Sequence, residues 1–180
     1  ADDKSPKQIS TIIETSDGDI WLNNSATTLE KPSRILRWRE NAPIEVFDFS
    51  NYLKQSTGFF ISDIAASKRD LWVAERSGLY RFDGIRFIKE LEIGNNSATN
   101  TKFTRDLDGN LLANLDDGIL RLGSNSKWEK TPANFSDKGV QAFFSDREGN
   151  LWLGTNTLGL SRLKRNLIES FDESRGVANN

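Results

Sequence analysis

Few side chains in this 180-residue chain stand at spacings that support chemistry, and the types missing from it are as informative as those present. There is no histidine and no cysteine. Within the chain this removes histidine-based triads, histidine metal ligands, histidine pH switching and disulfides. The run Asp106-Leu107-Asp108-Gly109-Asn110 has the flavour of a calcium loop. The full calcium pattern needs more oxygen ligands and a distal glutamate, and none stands in register, so the run reads as a hairpin corner. Asp116 and Asp117 offer the paired carboxylates of a glycosidase. Adjacent residues on a strand point to opposite faces, and the pair precedes Gly118, so a solvated turn is the simpler reading. Arg81, Arg121 and Arg162 recur at one repeated position. They could form an anion-binding ring, but a position repeated in every unit more often bonds a neighbouring unit. Tryptophan rings could stack on sugars. Trp21, Trp72 and Trp152 instead lie in segments apolar on both sides, which predicts burial between units, while Trp38, between Arg37 and Arg39, is expected to be partly exposed. Three sequons, starting at Asn23, Asn95 and Asn134, are glycosylation acceptors in form only if the source is bacterial. No catalytic set, metal set or cofactor site emerges.

The elements that would position these residues repeat. Asp146-Arg147-Glu148-Gly149-Asn150-Leu151-Trp152-Leu153-Gly154-Thr155 reads as a tight corner running into a short strand. Asp17 to Leu22, Lys68 to Val73 and Asp108 to Ala113 are further copies, the second without the glycine and the third with Leu112 in the tryptophan position. Trp152 follows Leu112 by 40 residues, Leu112 follows Trp72 by 40, and Trp72 follows Trp21 by 51. Equal periods with one long one make a repeat protein with an insertion, best placed in an irregular loop from Asn23 to Ser33. A second signature, Gly-apolar-x-Arg-apolar, stands at Gly78–Phe82, Gly118–Leu122 and Gly159–Leu163, with Leu36-Arg37-Trp38 as its remnant in the first unit.

Each unit holds four short strands joined by tight turns, and no stretch shows helical periodicity. Strands apolar on both faces belong to sheets covered on both sides. Four-strand meanders of about 40 residues stacked around an axis make a β-propeller. A plain sandwich would not explain the fixed spacing. The expected blades are 9–52, 59–93, 101–133 and 140–173.

Composition limits the rest. Apolar residues are 36% and charged residues 28%, with a net charge of −2 and both signs interspersed. No run approaches the ~18 apolar residues of a membrane span. Nucleic acid and anionic membrane surfaces are poor partners, because they call for concentrated Lys and Arg.

Gly-Asn-Leu-Trp-Leu-Gly-Thr-x-x-x-Gly-Leu-x-Arg-Leu, residues 149 to 163, resembles the two-component regulator propeller repeat. The resemblance is specific in the fourth unit, good in the second and degenerate in the first and third. It implies the sensor region of a bacterial hybrid histidine kinase or diguanylate cyclase receptor, outside the cytoplasmic membrane and so periplasmic. It also implies a signal passed on to an output domain that this chain does not include. In some members the signal is an oligosaccharide, which makes an oligosaccharide or other small ligand the expected partner.

Loops carry function on a rigid scaffold. In propellers the links from second to third strand and from blade to blade emerge on one face. This places Asn23, Asn24, Glu75, Arg76, Asp116, Asp117, Asn134, Asn156 and Thr157 as ligand-binding candidates, with Asn95 and Asp137 nearby. Three function classes stay open: a sensor propeller, a propeller enzyme such as a glycan or lactone lyase, and a structural dimerisation module. Residues 174–180 read as a link toward a next blade. The chain is therefore expected to form an arc of a larger propeller, with apolar positions near Ile12, Trp21, Trp152 and Leu160 left wet and inviting self-association or further blades.

Overall fold

The computed structural model describes residues 9–24, 33–48, 61–67, 70–75, 77–93, 101–115, 118–131, 140–155 and 159–164. All the regular elements among them are strands. The first sheet contains β1 (Thr11–Glu14), β2 (Ile20–Asn24), β3 (Arg34–Trp38) and β4 (Glu45–Asp48), paired antiparallel in that order. The second contains β5 (Ile61–Ser67), β6 (Asp70–Glu75), β7 (Gly78–Phe82) and β8 (Phe87–Glu92). The third contains β9 (Phe103–Arg105), β10 (Leu111–Leu115), β11 (Gly118–Leu122) and β12 (Trp128–Lys130). The fourth contains β13 (Val140–Ser145), β14 (Leu151–Thr155) and β15 (Gly159–Leu163). The outer strand expected at Leu167 to Phe171 lies outside the described residues. These are the blades of an all-β propeller arc.

The corners between first and second strands are one device used three times. Thr15, Asp106 and Asp146 each donate their amide to the carbonyl four residues on, and each accepts from the glycine three residues on. That glycine is left-handed in each corner, at φ 87° for Gly18, 80° for Gly109 and 81° for Gly149. A side chain there would be strained, which is why the acidic-Gly-Asn pattern recurs. In two corners an aspartate completes the turn. Asp106 accepts from the amides of Asp108 and Asn110, and Asp146 from those of Glu148 and Asn150. The calcium-like run is therefore a hairpin corner, and among the described residues no acidic group is arranged to hold a metal ion.

Each blade has a forward face, which carries the repeat tryptophan or its substitute, and a rear face. The forward face of one blade packs on the rear face of the next. Trp21 and Ile35 of the first blade are buried with Ile64, Val73, Tyr80 and Phe82 of the second. Trp72 of the second is buried with Leu111 and Leu122 of the third, and Ala74 and Leu79 with Ala113 and Leu120. Leu112 and Ile119 of the third meet Val140, Phe143 and Leu153 of the fourth. The alternation of side chains along a strand lets one short segment serve two boundaries at once, which explains Leu-Trp-Leu and Leu-Trp-Val. Inner strands β1 and β5, β5 and β9, and β9 and β13 also touch, and among the described residues no packing of that kind joins β13 to β1. The described blades form an open arc.

Several expectations need correction. Trp21 is 2% exposed, not wet, because the second blade covers it with Phe82 and its own blade adds Phe47. Trp72 is 0% exposed as expected, but Trp152 is only half-buried, since no described blade covers its face. Asn23 and Asn24 are not loop residues. They extend β2, where Asn23 pairs with Ile35 and Asn24 with Arg34. Glu75 belongs to β6 and pairs with Gly78. Among the described residues the repeated arginines make no bond to a neighbouring blade. Arg81 pairs with Glu90 of its own blade, Arg162 lies over Trp152 of its own blade, and Arg121 is exposed. Arg37 comes nearest to the expectation. It pairs with Asp19 and stacks on Trp21 within its blade, and its guanidinium also sits 5.9 Å from the ring of Phe82 in the next.

Candidate functional site

Of the residues expected at the loop face, Arg76, Asp116, Asp117, Asn134, Asn156 and Thr157 lie outside the described residues, as do Asn95 and Asp137. The described ones show how that end of the blades is built. Asn23 is fully buried, and its side-chain amide donates to the Ile61 carbonyl of the next blade at 3.4 Å. Ser33 closes the same seam by accepting from the Ile61 amide at 3.3 Å. Glu75 is also buried, and one carboxylate oxygen accepts from the Ser77 amide and hydroxyl at 2.8 and 2.7 Å. The Ser77 hydroxyl lies 3.0 Å from the Tyr80 hydroxyl, and burial pushes the Tyr80 phenol above its ordinary value. Asn114, at the position of Asn23 in the third blade, accepts from the Lys102 amide at 2.6 Å. Among the described residues the other carboxylate oxygen of Glu75 and the side-chain oxygen of Asn23 are buried without a partner.

Asn23 and Glu75 thus hold strand ends in place, and Asn24 is half-buried at the tip of β2. The sequence shows that these residues follow the repeat tryptophan at the end of the second strand, but not that they are buried. A polar residue two places after the repeat tryptophan, such as Asn23, looks solvent-facing until the next inner strand is packed on it.

A second polar seam runs across the inner strands and has no sequence signal. The Asp63 carboxylate accepts from the Phe103 amide of the third blade at 3.0 Å and from the Thr11 hydroxyl of the first at 3.4 Å. Lys102 of the third blade donates to the Ser62 carbonyl of the second at 2.6 Å. Asp63 therefore links three blades. Burial, above all, raises its carboxyl above the ordinary value of 3.8, against the opposing pull of the Phe103 amide and Lys102.

At the opposite, corner end of β1, β5 and β9 lies a cleft of about 360 Å³, with Glu14, Ala66, Thr104 and Arg105 in its lining. Arg105 is engaged there by the carbonyls of Ala66 and Gly109. Outside the cleft, Asp146 also accepts the Trp152 indole N–H at 2.8 Å, and this bond, followed by that from Asn150, brings its carboxyl down to about 2. No cluster of acidic groups that could hold a metal ion occurs among the described residues. None of their helical segments, there being none, is long and apolar enough to cross a membrane.

Residues 134–157 match the family model described as two component regulator propeller. No curated protein is similar to the chain in sequence at a significant level. Among solved structures, the extracellular domain of BT4673 from B. thetaiotaomicron, assigned to a one component system, aligns at a TM-score of 0.60 with 19% identity, over 86% of this chain and 21% of that one. The extracellular domain of BT3049 from the same organism, assigned to a hybrid two component system, aligns at 0.57 with 13% identity, over 87% of this chain and 20% of that one. Virginiamycin B lyase from Staphylococcus aureus aligns at 0.58 with 16% identity, over 89% of this chain and 57% of that one. The chain thus spans about a fifth of the first two and just over half of the third. At these identities the likenesses establish the fold. With the matched repeat, they make this chain an arc of β-propeller blades that carries the two component regulator propeller repeat.

Proposed function

We propose that the chain is a sensor module of a bacterial membrane-bound signalling receptor, placed outside the cytoplasm, which binds a ligand and relays its presence to an output domain. The observation that carries this reading is the repeat matched at residues 134–157, in a fold similar to extracellular domains assigned to one component and hybrid two component systems. The reading is of a non-catalytic propeller. An oligosaccharide or other small ligand is the proposed occupant, held at the end of the blades where the second strands meet the third, by Asn24, Arg76, Asp116, Asp117, Asn134, Asn156 and Thr157. The burial of Asn23 and Glu75 suits them to setting the positions of these neighbours. Periplasmic placement is part of the same proposal, and the likeness to extracellular domains supports it.

The lyase reading has one point in its favour, the similar fold of virginiamycin B lyase. Against it, that enzyme is catalytically inactive when one histidine is replaced by alanine, and this chain has no histidine. The deciding experiment is chemical-shift mapping of the isolated chain against a panel of oligosaccharides, with product analysis of the same samples. Shifts grouped around Asn24 and residues 116–117 and 156–157, without turnover, support the sensor reading. Shifts confined to the corners at Asp17, Asp108 and Glu148 refute the placement of the site, and turnover of any glycan refutes the sensor reading.

A further inference from the structure

The cleft at the corner end of β1, β5 and β9 comes from one departure in the repeat. Ile13, Ala65 and Thr104 hold the same register place, opposite Trp21, Trp72 and Leu112. Glu14, Ala66 and Arg105 hold the next one, opposite Ile20, Leu71 and Leu111. The second blade thus sets two alanines where its neighbours set Ile13-Glu14 and Thr104-Arg105. Two places before Ala65, the Asp63 carboxylate reaches both the Thr11 hydroxyl of the first blade and the Phe103 amide of the third, at 3.4 and 3.0 Å. At that level one side chain of the second blade fills the gap between its neighbours. Ala65 and Ala66 are too short to do the same, and the cleft of about 360 Å³ opens beside them. Its lining comes from three consecutive blades, so no further blade is needed to form it.

The two walls carry opposite charges that are not spent on each other. Glu14 is exposed, and among the described residues its carboxylate has no ion pair. The Arg105 guanidinium donates to the carbonyls of Ala66 and Gly109, which hold it in place without neutralising it. A guanidinium has five N–H groups, so donors remain for a carboxylate. Between the charges the lining is apolar, with Ile13, Ile64, Phe103 and Leu111. The volume lies near the lower end of the roughly 300–1,000 Å³ of ligand pockets, which calls for a small occupant.

We propose that this cleft binds a free amino acid with an apolar side chain. Its carboxylate sits on Arg105, its ammonium on Glu14, and its side chain against Ile13, Ala65 and Phe103. A ligand with only an anionic group meets the like charge of Glu14, and one with only a cationic group meets that of Arg105. A zwitterion complements both walls at once. Because Arg105 is already held by two carbonyls, little ordering of its side chain is left for the ligand to cost. The site lies at the opposite end of the inner strands from the oligosaccharide site proposed above and is independent of it.

Titration of the isotope-labelled 180-residue chain with L-leucine, followed by its amide resonances, tests it. Leucine should shift the amides of Ala65, Ala66, Thr104 and Arg105 and saturate them. N-acetyl-leucine lacks the ammonium and leucinamide lacks the carboxylate, so each should bind the wild-type chain about tenfold more weakly than leucine. Glu14→Gln changes an exposed side chain and should keep the wild-type melting temperature. It should weaken leucine by about tenfold and leave N-acetyl-leucine no weaker than before. Arg105→Gln should weaken leucine to the level of leucinamide. The comparison of the three compounds on the wild-type chain decides the matter even if Arg105→Gln, which loses both carbonyl contacts, fails to fold. Leucine shifts that rise without saturating, or that fall only at the other end of the blades, overturn the proposal. So does equal binding of leucine and either analogue, or a Glu14→Gln chain that binds leucine as the wild type does.

Discussion

Replacement of Trp72 by alanine is the sharpest test of how the blades are held together. Trp72 is 0% exposed and stands between the second and third blades, with Leu111 and Leu122 around it and Trp128 edge-on at 5.1 Å. A tryptophan buries roughly 150–250 Å², worth about 4–6 kcal/mol before the part that alanine retains is subtracted. Truncations of this kind typically cost about 3–5 kcal/mol, because the two facing sheets close only partly on the space left. Its indole nitrogen has no partner among the described residues, so no hydrogen bond is lost with the ring. At about 2–4 °C per kcal/mol for a chain of this size, the melting temperature should fall by roughly 6–20 °C. Trp152→Ala is the control. Its ring is less enclosed and lies on an open face, so once the Asp146 bond that goes with it is allowed for, its loss should be smaller than that of Trp72. Thermal melts followed by far-ultraviolet circular dichroism, with urea titrations at fixed temperature, measure both. Equal losses in the two variants would refute the reasoning, since the same repeat position would then matter irrespective of the blade that covers it.

Three further outcomes follow from particular groups. The Asp146 carboxylate and the Trp152 indole resonance should titrate together near pH 2, so the stability from their bond is present above the ordinary value of 3.8 and lost as pH falls toward 2; a midpoint at 3.8 in a carboxyl-detected titration would dismiss it. Asp63 has the opposite sign. Its folded pKa is raised, so its contribution is greatest below 3.8 and is lost as pH rises through the folded value, and the stability of the wild type relative to Asp63→Asn should fall over that rise. Urea titrations of both proteins across pH would count against this if their difference stayed constant. Gly78→Ala should cost about 1–3 kcal/mol, because a β-carbon there would meet the Leu91 carbonyl oxygen at 2.3 Å, a backbone atom that cannot swing away, and an unchanged urea midpoint would contradict it.

The blades and their corners can be read directly from the amino acids, because a hairpin is decided over a few residues. The left-handed φ of Gly18, Gly109 and Gly149 needs a glycine wherever the turn recurs, and alternation along Leu71-Trp72-Val73 already announces two covered faces. The fate of each repeated side chain is different. Trp72 and Trp152 sit in nearly the same local sequence, yet one is enclosed and the other half-open, and Leu160 is bare where Leu79 is sealed. Burial of a propeller side chain is a property of the neighbouring blade, tens of residues away, and no local pattern encodes that neighbour's presence. The same distance hides Asn23, which looks like a loop residue until the next inner strand closes over it, and it hides Asp63, whose partners Thr11 and Phe103 come from the blades on either side. Strand identity is therefore a short-range matter of period and turn chemistry, while exposure, pairing and the faces left for a partner arise only when one blade is laid upon another.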